Sequence, residues 1–412
     1  MNVGLFYLPH TWLLITLAYP KMFPTLNHLL HYLFGITLPF PVQTLGLFVA
    51  LAFLSAYQVF KSEFKRYEAN DKIHAITKTV LAGRKVFIVS IFVNILSGFI
   101  LGYKAGGIRF QYTVFQANPR SYLFSLQGSL TAGIVVALIF ALWIYRDQKD
   151  DLDTGETKEV EKVVHPYQLM GKIVLSVGVA GVIGSKLFDV LEHFDAFKYD
   201  PVRALFNSTG YTYYGGLIFG SLTYLYIGHK NKMKLSHLAD IGSPGMMLAY
   251  GVGRIGCQLA GDGDWGIVNL HPKPGVLSWL PDWMWSFHYP QNTIGAGMPM
   301  PGCDGNYCNQ LVNGVYPTPF YEAVLCIGLF LLMWSFRKKI ITPGVMFFTY
   351  LILNGGERLL IEMIRINHHY RFLGMNMTQA QIIGALMVLG GSVGLIYLFF
   401  VRRKAGKFRP VS

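Results

Sequence analysis

Nine apolar stretches, each close to the length of a bilayer-spanning helix, set the first constraint on how this chain folds. They fall near residues 42–60, 86–104, 123–145, 168–191, 213–228, 236–259, 318–336, 343–364 and 378–401, the fifth being short. About 20 apolar residues cross a hydrocarbon core of roughly 30 Å as a helix. None of the stretches alternates in period two, as barrel strands would, so helices remain as the way to satisfy the backbone in lipid. Charged residues are only 14% of the chain and hydrophobic residues 52%, where soluble domains carry about 25% charge. The expected fold class is an all-α polytopic membrane protein of about nine transmembrane helices, with a large extracytoplasmic loop over residues 260–317.

The formal net charge is +13. The basic residues collect in short loops, where they act as topological signals, and nucleic acid is not expected as a partner. Lys61, Lys65, Arg66, Lys72, Lys78, Arg84 and Lys85 crowd the first loop, whereas 105–122 holds only Arg109 and Arg120. Loop 146–167 (RDQKDDLDTGETKEVEK) reads as a solvated connector. The turn HKNKMK, the triplet RKK at 337–339 and the tail RRKAGKFR are basic, whereas loop 260–317 has one lysine, Lys273. The positive-inside rule then places the odd-numbered loops and the C-terminus in the cytoplasm. Residues 1–41 become an N-terminal extracytoplasmic arm. Within it, LFYLPHTWLLITLAY reads as an interfacial or tenth segment, without the basic n-region of a signal peptide. The four cysteines lack zinc spacing. Cys303 and Cys308 can pair if their loop faces an oxidising compartment.

Ionisable residues inside spans are costly and mark function. They occur here as Lys186, Asp189 and Glu192 in GSKLFDVLE, Asp240 and Arg254 in the sixth stretch, Glu322 in YPTPFYEAV, and Arg358, Glu362 and Arg365 in GGERLLIEMIR. The last three are spaced i, i+4, i+7 and share one helical face. With the orientation above, all but Asp240 fall in outer halves, so a polar cluster is expected in the outer leaflet beneath loop 260–317. The guanidiniums of Arg254 and Arg358 suit bidentate chelation of a phosphate. Gly215 and Gly216 allow a backbone or lipid chain to approach closely. Plainer readings stand beside these. Arg254 and Arg358 can sit in intramembrane salt bridges with Glu322 or Glu362, and Glu322 can be a satisfied charge near the interface. The glycine pair can pack helices, Lys186 can pair with Asp189, and Asp262 and Asp264 can cap a turn around glycines.

The same residues carry a family resemblance. Gly253-Arg254-Ile255-Gly256, continuing through Gly261, Asp262 and Gly266, resembles the signature of bacterial phosphatidylglycerol–prolipoprotein diacylglyceryl transferases. Tyr213–Ile218 (YYGGLI) resembles part of the family's S-F-H-G-G-L-I block and Tyr316–Glu322 (YPTPFYE) its H-P-S-Q-L-Y-E block. Arg358, Glu362 and Arg365 match its arginine-x-x-x-glutamate-x-x-arginine. The resemblance covers 168–401 well and 19–60 loosely. It implies a seven-helix core (42–66 and 166–412) with 67–165 as an inserted helical pair carrying the charged cytoplasmic connector.

The implied reaction moves the diacylglyceryl group of phosphatidylglycerol to the lipobox cysteine thiol of a prolipoprotein signal peptide. A thioether forms and glycerol phosphate leaves, without a metal or cofactor. The implied location is the bacterial cytoplasmic (inner) membrane, with the active site toward the periplasmic face. The resemblance makes Arg254, Arg358, Tyr214 and Glu362 catalytic, the arginines as an anion clamp. It assigns Gly215, Gly216, Glu322, Arg365 and Asp262, with both arginines, to substrate binding. The chain departs from the family at Tyr214 and Tyr316, where histidines are expected, at Cys257 and Ala260 in place of asparagines, and at Asp262 in place of glutamate. These departures keep open a paralogous enzyme acting on another outer-leaflet phospholipid or acceptor. A transporter would show inverted repeats with broken helices, and the sequence shows no convincing repeat.

Overall fold

The computed structural model describes residues 22–36, 42–82, 84–117, 122, 125–152, 158–206, 212–367, 369–372 and 375–407. The segment within residues 1–20 lies outside them. Among the described residues, long helices occupy each of the nine apolar stretches. They are α1 Thr44–Ala69, α2 Arg84–Phe110, α3 Leu130–Leu152, α4 Met170–Glu192, α5 Tyr213–Lys230, α6 Leu235–Ala260, α7 Thr318–Phe336, α8 Val345–Glu362 and α9 Gln379–Lys407. The stretches Thr44–Ala69, Phe87–Phe110, Pro166–Glu192, Thr318–Phe336 and Gln379–Phe400 are long and apolar enough to cross a membrane. The chain is a multi-pass membrane protein.

Two expectations shift. The third helix begins at Leu130 rather than 123, because the residues before it serve a knot of hydrogen bonds. Lys104 Nζ donates to the carbonyls of Tyr122 and Gln127 at 3.0 Å each, and to that of Ser125. The fold is also not wholly helical. Residues 158–164, read as part of a solvated connector, form strand β2, antiparallel to β1 (Ile76–Ala82), with Ile76 opposite Val164 and Val80 opposite Val160. Val160 and Val164 share one face of KEVEKVV, opposite Val80 and Ile76, a pairing that loop composition alone conceals.

The chain divides into two compact units, one of Met1–Phe34, Val42–Glu63 and Lys234–Ser412, the other of Gly35–Pro41 and Phe64–Met233. In the first, α6 packs on α7 and α8, and α8 packs on α9. Its core joins Val59, Met247, Cys326, Phe330, Met333 and Met346. At Gly256 the close approach to α1 admits no side chain: a Cβ there would lie 2.6 Å from Phe48. Asp240 is 2% exposed. Its Oδ2 accepts from the Gly344 N–H at 2.7 Å and its Oδ1 from the Phe347 N–H at 2.9 Å. It thereby satisfies donors that the start of α8 leaves open. In the second unit, α2 packs on α3 and α4 packs on α5.

Between α6 and α7, residues 261–317 form a folded cover. Gly261 ends α6 in the left-handed conformation, φ 61°, where glycine costs least. An aromatic core of Trp265, Phe287 and Tyr289 closes around Met22 and Val315. Fully buried Asn292 donates to the carbonyls of Tyr289, Ala296 and Asn309. Cys303 and Cys308 are joined by a disulfide.

Candidate active site

The charges of α6, α7 and α8 meet around one carboxylate. Glu322, in the first turns of α7, is 0% exposed. Its Oε1 accepts from Arg358 Nη1 at 3.0 Å, Arg365 Nη1 at 3.1 Å and the Tyr250 hydroxyl at 2.9 Å. Its Oε2 lies 3.0 Å from Arg254 Nε. Asp264, just past the end of α6, bridges Arg254 and Arg365. Glu362 Oε2 lies 3.2 Å from Arg358 Nη2, and its Oε1 accepts from Asn367. Burying a charge unpaired is expensive. Here three guanidiniums (Arg254, Arg358, Arg365) meet three carboxylates (Glu322, Glu362, Asp264).

Local folding sets this geometry. Tyr250 is one turn before Arg254 on α6, and the guanidinium lies 5.2 Å from its ring centroid. Arg365 follows α8 and is fixed by a bridge to Gly266, with the Ile267 N–H donating to the Ile364 carbonyl at 2.8 Å. Buried Thr318 donates its hydroxyl to the Asp264 carbonyl at 2.8 Å, tying the start of α7 to the same loop.

The structure thus brings together Arg254, Arg358, Glu322, Glu362 and Arg365. The salt-bridge reading of the arginines is what the chain shows in this state, and Lys186 likewise pairs with Asp189 at 2.9 Å. Tyr214, Gly215 and Gly216 belong to the second unit, in the first turn of α5. A Cβ on Gly215 would lie 2.3 Å from the Gly184 carbonyl oxygen of α4, and one on Gly216 2.5 Å from Ser185 Oγ, so both serve helix packing.

Between the two aspartates the roles differ from expectation. Asp264, read as a turn former, binds the arginines, whereas Asp262 accepts from the Asp264 N–H at 3.3 Å. Burial and the neighbouring Asp264 push the Asp262 carboxyl up from the usual carboxylate range. Burial acts on Asp264 in the same direction, but Arg254 and Arg365 outweigh it and hold its carboxyl low. Tyr250 joins the cluster as well, and its i, i+4 spacing from Arg254 is the sequence signal for it.

Ligand atoms of Cys257, Asp262 and Asp264 lie within 4.8 Å of one another. Arg254 already contacts the Cys257 Sγ at 3.8 Å and Asp264. That fixed positive charge opposes a metal cation at the same spot.

Residues 129–397, more than half of the chain, match the family described as prolipoprotein diacylglyceryl transferase. The chain belongs to this family. The match runs from α3 into α9, and every residue of the ion-pair cluster falls within it. Among similar proteins is a phosphatidylglycerol–prolipoprotein diacylglyceryl transferase of Dehalococcoides mccartyi, 24% identical over 304 residues, which span 71% of this chain and 96% of the relative. Another, numbered 2, from Clostridium perfringens is 26% identical over 245 residues, 58% of this chain and 81% of its own length. One from Streptococcus pyogenes is 28% identical over 230 residues, 55% of this chain and 76% of its own.

Proposed function

We propose that this chain transfers the diacylglyceryl group of phosphatidylglycerol to the lipobox cysteine of prolipoproteins, at the outer face of a bacterial inner membrane. Family membership supports the reaction, and one observation ties it to residues: Arg254 and Arg358 converge on the single carboxylate of Glu322. Their side chains remain 14% and 20% exposed, whereas Glu322 is fully buried. Two planar forks held side by side with donors still open form a receptor for a second anion. The phosphodiester of the lipid is that anion.

In the reaction the thiolate sulfur attacks the terminal glyceryl carbon. A carbon–sulfur bond forms, the carbon–oxygen bond to phosphate breaks, and charge gathers on the departing glycerol phosphate. Guanidiniums fixed by Glu322, Glu362 and Asp264 stabilise that charge without having to reorganise. Glu362 orients Arg358, and Arg365 holds Glu322 and Asp264 in place. Tyr214 stands where the family carries histidine. A phenol of ordinary pKa ~10 donates a hydrogen bond at neutral pH rather than accepting a proton. Asp262 lines the exit of α6. All nine long helices are read as spans, with the C-terminus and the basic loops cytoplasmic. Of residues 67–165, read as an addition to a seven-helix core, those from 129 onward fall within the family match.

The test is purified protein in phosphatidylglycerol vesicles with a lipobox peptide, read by mass spectrometry for the thioether and by release of glycerol phosphate. Absence of product from folded protein overturns the reading. Tyr214 motivates a second reading, a paralogue that uses another outer-leaflet phospholipid or acceptor. Lipid consumption that persists with a peptide whose cysteine is replaced by serine would favour it.

A further inference from the structure

One charged side chain stands apart from the paired network. Glu357 is 4% exposed, and neither of its carboxyl oxygens has a hydrogen-bond partner. Met346, Tyr350, Leu353 and Glu357 follow one another at intervals of four, three and four along α8, so Glu357 continues the stripe that meets the apolar core. A carboxyl therefore occupies a position where the pattern calls for a hydrocarbon. Its electrostatic neighbours are Tyr250 and Arg254 on α6, Glu322 and Cys326 on α7, its own neighbour Arg358, and Arg365. On α9, which also packs along α8, residues 379–400 carry no charge.

Charge accounting separates Glu357 from the other acids. The three guanidiniums are already matched by Glu322, Glu362 and Asp264. An ionised Glu357 would add a fourth negative charge in a buried place with no donor to meet it, which low-dielectric surroundings penalise strongly. A neutral carboxyl removes that penalty and adds no negative charge to repel an arriving anion. The same carboxyl then carries a proton beside the arginines that receive the lipid phosphate.

We propose that Glu357 is the general acid of the transfer, giving its proton to the phosphate oxygen as the glyceryl carbon–oxygen bond breaks. This rests on the functional reading above. The thiol releases its proton to water, sulfur bonds to carbon, and the bonding pair of the broken bond stays on the phosphate oxygen. A phosphate monoester has a second pKa of about 6, so a proton supplied as that charge develops makes it a better leaving group. Glu357 regains one proton from water, and the net change is a proton moved from thiol to phosphate or solvent.

The experiment compares wild type, Glu357→Gln and Glu357→Asp, full-length and in phosphatidylglycerol vesicles, with a lipobox peptide from mildly acidic to alkaline pH. Glutamine keeps the shape and the neutral charge but has no acidic proton. Its rate should fall by about 10²- to 10⁴-fold. The wild-type rate should fall toward alkaline pH, that fall should disappear from Glu357→Gln, and aspartate should restore part of the rate together with that limb. The infrared difference spectrum between wild type and Glu357→Gln should show a protonated-carboxyl band that is lost as pH rises. A glutamine variant at wild-type rate overturns the proposal. So does a slower variant with an unchanged pH profile, which marks packing alone, or a difference spectrum without that band. If the wild type makes no thioether, the functional reading falls and the general-acid role with it. If the wild type is active and glutamine changes nothing, the general-acid role falls alone.

Discussion

Helices α2 and α3 approach through glycine and alanine: a Cβ on Gly106 would lie 2.0 Å from the Ala132 Cβ, and one on Gly102 2.5 Å from the Ala132 carbonyl oxygen. Helices α6, α7 and α8 meet at one end, the last turns of α6 and α8 and the first of α7, through three arginines and Glu322. Lipid offers no hydrophobic drive between helices, so close backbone contact is the ordinary means of association in a membrane. The pair α2–α3 uses it. The charged region pays several desolvation penalties for contacts that glycine and alanine would supply more cheaply. Its chemistry therefore exceeds what holding helices together requires, which is why the site is placed there.

Glu322→Gln should break this contrast most severely, since it leaves guanidiniums buried without their shared counter-ion. A loss of about 3–5 kcal/mol is expected, read as a lowered unfolding midpoint in detergent. Arg254→Ala and Arg358→Ala should each lower transfer by about 10²- to 10³-fold, measured as thioether formed per folded protein. Lysine should fail to restore the rate at either position, because a point charge lacks the fork. Near-wild-type turnover in an alanine variant would remove that arginine from the site. Gly106→Leu tests the other side of the comparison. Overpacking should cost about 1–3 kcal/mol and separate α2 from α3, which a distance label across the pair would detect.

The smallest effects come from the two aspartates. Asp264 has a depressed carboxyl, so its contribution is present above the ordinary carboxylate range and is lost as pH falls through its folded value. Asp262 is raised, so its contribution has the opposite sign, present at low pH and lost as pH rises through its folded value. Asp264→Asn should flatten the acid limb of the stability curve, and Asp262→Asn should stabilise the protein slightly at neutral pH. Equal responses in denaturation across pH would refute the assigned environments.

The helices were legible in the sequence because lipid demands long apolar runs, and composition records them directly. Arg358, Glu362 and Arg365 were legible because i, i+4, i+7 is a local spacing. Contacts between distant elements left no such mark. Asp240 and Gly344 are 104 residues apart, and Asp240 was set aside because it did not lie in an outer half. The pairing of β1 with β2 closes across two helices, and each strand taken alone resembles a polar loop. Asp264 was read as a turn former because its glycine neighbours permit that role, and only Arg365, folded back by its bridge to Gly266, gives it another. Glu357 sits beside Arg358 in the same motif, yet its burial follows from Met346, Tyr350 and Leu353, an apolar stripe rather than a charged face.

Asp240 and Arg254 are 14 residues apart on α6, a rise of about 21 Å. At the lower end Asp240 grips the first amides of α8, and at the upper end Glu322 and Asp264 tie the arginines together. Helix α8 is thereby fastened at both ends, to α6 directly at its first turn and through Glu322 at its last, as a plank is held by two nails rather than one.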